Sequence, residues 1–117
     1  MSDFAGLSRD VFAIDRTVRF AGVIDRMGRL VAGGMREGIK PLESVKDMDK
    51  IYVEFALRNA MRSELNSEFG KTLYTFSERE RIKIATFPIE GDNLLLISME
   101  KDGPHDKILS RVLALVR

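Results

Sequence analysis

The chain has 117 residues, 44% of them hydrophobic and 32% charged, and its 19 basic and 18 acidic side chains give a formal charge of +1. That length suits one domain spanning residues 1–117, and the balance excludes long disorder, a collagen-like repeat and a global electrostatic footprint for nucleic acid or an anionic membrane. With no cysteine and a single histidine, disulfides, thiolate nucleophiles, cysteine metal sites, histidine pairs and the usual histidine triad are removed as well.

The start, Met1-Ser2-Asp3-Phe4, carries an acid where a secretory leader needs positive charge, and no apolar stretch approaches the roughly 18 residues of a membrane span. A cytoplasmic protein without membrane insertion is therefore expected. Apolar residues at Phe4, Leu7, Val11 and Ile14 recur at steps of three and four and predict a short helix from Phe4 to Asp15. Thr17 to Asp25 is rich in Val, Phe and Ile, Asp25-Arg26-Met27-Gly28 interrupts it, and Arg29 to Ala32 resumes the pattern. The two runs read as a hairpin, with Gly28 as the left-handed residue of a type I turn plus bulge. Gly33-Gly34, Gly38 and Pro41 then break regularity, so residues 33–43 read as a connection. Ser44, with Asp47 three residues on, is the expected N-cap of the longest helix. Its apolar face of Met48, Ile51, Tyr52, Phe55, Ala56 and Met61 continues to Leu65 before Gly70 caps it.

The period then changes. Lys71 to Phe76 reads as a strand, Ser77-Glu78-Arg79-Glu80 as a polar turn, and Arg81 to Phe87 as a strand with Ile82 and Ile84 on one face, ended by Pro88. After a turn at Glu90-Gly91-Asp92, the segment Asn93 to Met99 contains the unbroken run Leu94-Leu95-Leu96-Ile97, which a strand acquires when both its faces are covered. Lys101-Asp102-Gly103-Pro104 opens a last helix, with Ile108, Leu109, Val112, Leu115 and Val116 on one stripe. The order helix, strand, strand, helix, strand, strand, strand, helix predicts an α+β fold. Its five-stranded antiparallel sheet forms the middle of a three-layer α/β/α sandwich, with Asn93 to Met99 in its interior and the long helix opposite the terminal ones.

This order is that of the roadblock domains, a branch of the profilin-like folds, and the segment Phe20-Ala21-Gly22-Val23-Ile24-Asp25-Arg26-Met27-Gly28-Arg29-Leu30-Val31-Ala32 resembles their first hairpin. More specifically, Arg19-Phe20-Ala21-Gly22-Val23-Ile24, Leu30-Val31-Ala32-Gly33-Gly34, Pro41-Leu42 and Ser77-Glu78-Arg79-Glu80 resemble a family of small, uncharacterised archaeal proteins. The roadblock resemblance implies a non-enzymatic homodimer that binds a small GTPase or serves as a scaffold. In it the third strand, here Lys71 to Phe76, pairs with its twofold mate, and the long helix from Asp47 to Leu65 packs beside it. No catalytic residues are carried over. The connection from Gly33 to Glu43 is long for such a domain, and Gly33-Gly34 fall where its second strand would continue.

Candidate sites are few. Gly33-Gly34-Met35-Arg36-Glu37-Gly38 offers glycines and a base but lacks the GxxxxGK[ST] spacing of a phosphate loop, and reads as a turn. The cluster Glu78, Arg79, Glu80 and Arg81 fits either a partner's ion pairs or a solvated hairpin tip. His105, alone at a helix start, reads as surface decoration. Met48, Met61 and Met99 occupy core-like positions. Tyr52, Phe55, Leu73, Tyr74, Thr75 and Phe76 combine an edge strand with an aromatic helix face wider than one sheet can cover, which marks a dimer or partner surface. No metal site and no cofactor are expected, because the acids are scattered and only one histidine is present. The reading is a non-catalytic regulator or scaffold; the alternative is a PAS- or GAF-like sensor that holds a small molecule between sheet and helix. Such a sensor needs an open pocket, against which the crowded aliphatics of the central strand argue.

Overall fold

The computed structural model describes residues 3–42 and 45–117, Val45 by its backbone alone. The first helix, α1, spans Phe4–Ile14 and is capped by Asp3, whose carboxylate accepts the Gly6 N–H at 2.8 Å. Strands β1 (Val18–Ile24) and β2 (Leu30–Met35) form the expected hairpin. Asp25 organises its turn by accepting the N–H groups of Met27 and Arg29 and the Arg29 side chain. The bond from the Arg29 amide, first among these, holds the Asp25 carboxyl below its usual range. Gly28 has φ 82° and packs so closely on the backbone of Val53 that a Cβ there would lie 2.6 Å from the Val53 Cα. The hairpin tip is thereby seated against the long helix.

Helix α2 runs Val45–Ser63, a single-turn helix α3 follows at Asn66–Phe69, and the sheet resumes with β3 (Thr75–Glu78), β4 (Ile82–Ile89) and β5 (Asn93–Glu100), a 3-10 turn at Glu90–Asp92 joining the last two. Helix α4, His105–Val116, closes the chain. The sheet has five antiparallel strands in the order β2-β1-β5-β4-β3, so β5 lies at its centre, as its aliphatic run requires.

Alternation along the strands sends two sets of side chains to opposite faces. Val18, Val23, Ala85, Phe87, Leu95, Ile97 and Met99 meet Val11 of α1 and Ile108, Leu109 and Val112 of α4. Phe20, Ile24, Leu94 and Leu96 meet Tyr52 and Ala56 of α2, with Met48 and Phe55 at the margin. The three layers and the placement of α2 opposite the terminal helices follow the sequence pattern.

Four local expectations are corrected. Strand β2 does not stop at Ala32: Gly33 and Gly34 pair with Gly22 and Ala21, and the connection begins only after Met35. Helix α2 ends at Ser63 rather than Leu65, and Gly70 caps α3 instead, its N–H donating to the Asn66 carbonyl; the N-cap assigned to Ser44 lies outside the described residues. Residues 71–74 precede β3, which extends instead through Ser77 and Glu78. Finally, Pro88 does not end β4 but sits opposite Leu94. The Arg79 N–H donates to the Ile82 carbonyl across the hairpin, so 82, 84, 86 and 88 turn their backbone groups toward β3. Because β3 pairs no further than Thr75 with Thr86, the N–H that Pro88 lacks would have met no ladder partner.

Candidate functional site

The edge strand β3 pairs only with β4 and leaves its other side open. Register assigns that open side to Phe76 and Glu78, whereas Thr75 and Ser77 turn their backbone groups inward to Thr86 and Ile84. The Thr75 N–H therefore faces β4 and is not open to a second strand. Beside this edge Leu73 and Tyr74 are exposed, and the Tyr74 ring lies 5.7 Å from that of Phe87. Along α2 a second apolar stripe, Val53, Leu57 and Met61 at four-residue steps, points away from the sheet, with Leu57 59% exposed. Leu65 and Phe69 follow, Phe69 being 81% exposed. Met61 thus belongs to the surface, not to the core.

The aromatic residues expected on this surface divide. Tyr52 is 6% exposed and packs its ring 6.0 Å from Phe20 inside the core, so it is withdrawn from any contact surface. Phe55 is half-buried at the margin of the same core. Phe76 turns to the opposite face, where its ring stacks on His105 at 5.0 Å. His105 is no decoration: its Nδ1 lies 2.8 Å from the Nζ of Lys83, a buried amine that also donates to the Gly103 carbonyl.

In the charged cluster, Glu78 receives Lys101 at 2.6 Å, and that hydrogen bond above all holds its carboxyl below the ordinary range. Lys101 also donates to the Arg79 carbonyl, while Glu80 and Arg81 form the exposed hairpin tip. Arg36, the base beside the glycine pair, is consumed structurally. Its guanidinium donates to the carbonyls of Phe12, Asp15 and Val18 and lies 5.0 Å from the centre of the Phe12 ring.

The space between sheet and helix is more open than the aliphatics of β5 suggest. Beneath α2 lies a small apolar cavity of about 60 Å³, and beside it a groove of about 290 Å³ runs between α2 and the β3–β4 hairpin. Arg58 and Arg62 of α2 and Arg79 line the groove. The two helix arginines are absent from the sequence-based candidates. Their four-residue spacing, which puts both on one helix face behind Glu54, is the signal that could have found them. Among the described residues no group of three or more His, Cys, Asp or Glu is arranged to hold a metal, and no helix is long and apolar enough to cross a membrane.

Comparison with known structures identifies the fold. MglB in a tetrameric arrangement superposes with a TM-score of 0.74 at 16% identity, over 95% of this chain and 82% of that one. The roadblock/LC7 domain from Streptomyces avermitilis gives 0.71 at 12% identity, over 98% and 92%. The gliding protein MglB from Thermus thermophilus gives 0.71 at 17% identity, over 95% and 85%. No curated protein matches the chain in sequence. The fold is that of the roadblock/LC7 domains, and a family model covers residues 4–116: the chain belongs to the family of unknown function DUF6659.

Proposed function

We propose that the chain is a non-catalytic interaction module that pairs with a second copy of itself and acts as a scaffold or small-GTPase regulator. The observation that carries this reading is the open strand edge at β3, on a chain whose helix α2 also exposes the apolar stripe Val53, Leu57 and Met61. An open edge is a template for another strand, and an exposed apolar helix stripe is costly to leave in water. In the proposed assembly a twofold axis through the edge joins β3 to its mate, and the second copy also covers the α2 stripe. The roadblock resemblance implies the same arrangement. A non-catalytic role is supported by the use of the lone histidine and of Lys83 in packing the start of α4.

Light scattering at tens of micromolar is expected to show a dimer burying more than about 1,200 Å² in total. Leu57→Glu, at an exposed position, should give a folded monomer. Glu78→Pro removes an outward-facing N–H and should do the same, while Glu78→Ala should remain paired. A wild-type monomer at that concentration overturns the proposal.

A further inference from the structure

We propose that the groove between α2 and the β3–β4 hairpin binds a small organic phosphate, its anionic head among the arginines and a short apolar body in the cavity beneath α2. The site is complete within one chain and does not rest on pairing. Three guanidinium groups, Arg58, Arg62 and Arg79, line the groove against one carboxylate, Glu54, which Arg58 engages at 2.8 Å. Arg62 reaches across from the helix to donate to the Thr75 Oγ1 at 3.1 Å, which holds its planar fork over the strand. Among the described residues Arg79 has no side-chain partner. Arg58 and Arg62 share one face of α2, and Arg79 lines the same space from the β3–β4 hairpin.

The sheet beneath them mixes polar with aliphatic side chains. On β1 and β5 the face toward α2 carries Phe20, Ile24, Leu94 and Leu96, whereas at β3 and β4 Thr75, Ser77 and Thr86 stand beside Ile82 and Ile84. Thr86 is only 7% exposed. Hydroxyls there add donors beside the guanidinium forks, and that combination matches the several oxygens of a phosphate. The groove also shares four walls, Ile51, Phe55, Ile82 and Ile84, with the apolar cavity, so the charged space and the apolar one are immediate neighbours. An anionic head joined to a small apolar group fits both parts, and the few convergent polar groups set its orientation.

The test is a titration of the isotope-labelled full chain, followed by its amide resonances, with phenyl phosphate, inorganic phosphate and benzyl alcohol. Phenyl phosphate should shift Thr75, Ser77, Arg79 and the adjoining face of α2 saturably. Inorganic phosphate should shift the same residues with weaker affinity, and benzyl alcohol should bind more weakly than phenyl phosphate. The double variant Arg62→Gln/Arg79→Gln should weaken phenyl phosphate by about tenfold or more, as expected for loss of charge-assisted bonds. Arg111→Gln on α4, a single charge change elsewhere, should leave it unaltered. The site is overturned by the absence of saturable shifts, by shifts spread over the surface, or by full affinity in a double variant whose spectrum remains folded. Equal affinity for inorganic and phenyl phosphate overturns the role of the inner cavity, and equal affinity for benzyl alcohol overturns the anionic head.

Discussion

A methyl group at Gly33 has nowhere to go. The residue has φ 80°, and a Cβ there would run into the Ala21 carbonyl oxygen and come within 2.5 Å of the Ser8 Oγ on α1. Backbone strain and the clash act together, so Gly33→Ala should lower unfolding free energy by about 2 kcal/mol or more in urea titrations. Asp15, between α1 and β1, gives a prediction of a different kind. Its carboxylate accepts the Thr17 hydroxyl at 2.6 Å and the Thr17 N–H at 2.9 Å, with Lys107 at 3.1 Å. These bonds, the Thr17 hydroxyl first, lower its pKa from 3.8 to about 2. A folded-state value below the unfolded one contributes stability that is fully present above pH 3.8 and lost as pH falls through about 2. The urea midpoint of wild type should therefore exceed that of Asp15→Asn near neutrality, and the gap should close on acidification through that window. A gap that persists at the acid end would show that the charge is not its source.

Between elements, the buried Lys83 ties β4 to the start of α4 through the Gly103 carbonyl and His105, both at 2.8 Å. Lys83→Met should leave that carbonyl unpaired, cost about 1–3 kcal/mol, and speed hydrogen exchange in the first turn of α4. Unaltered exchange there would refute the tie. Lys83 also shows where sequence reading stops: alternation with Ile82 and Ile84 correctly puts it on the other face, but a lysine there reads as solvated until α4 is known to cover it. Helix periodicity made α1 and α4 legible, and the unbroken aliphatic run made β5 legible, because in each case burial itself sets the pattern. The ends of β2 and β4 were not legible. Gly33 and Pro88 are of the residue types that usually break strands, and only the approach of α1 and the early end of β3 explain why each remains paired. The candidate surface divides in the same way. Leu73 and Tyr74 could be read from composition, but the withdrawal of Tyr52 into the core and the convergence of Arg62 and Arg79 depend on where α2 crosses the sheet.

At the scale of the whole molecule, the proposed pairing through the unpaired edge and the exposed stripe of α2 would couple folding to association. The described chain has a Cα radius of gyration of 13.4 Å, close to the roughly 13 Å expected for a compact domain of about 100 residues. A species that scatters as this size is the monomer, and a twofold assembly through β3 must be distinctly larger. Pairing stabilises only the folded chain, so its contribution grows with concentration by mass action. The thermal midpoint of the wild type should therefore rise across a hundredfold increase in protein concentration. Leu57→Glu places a charge at the centre of the stripe without touching the core, so its midpoint should be independent of concentration and match that of the wild type at high dilution. Small-angle scattering on the same samples reads the size directly: the wild type should shrink toward the monomer radius on dilution while the variant stays there throughout. A wild-type midpoint that is flat with concentration, together with monomer-sized scattering at the upper end, would mean that the α2 stripe and the β3 edge are not covered by a second copy.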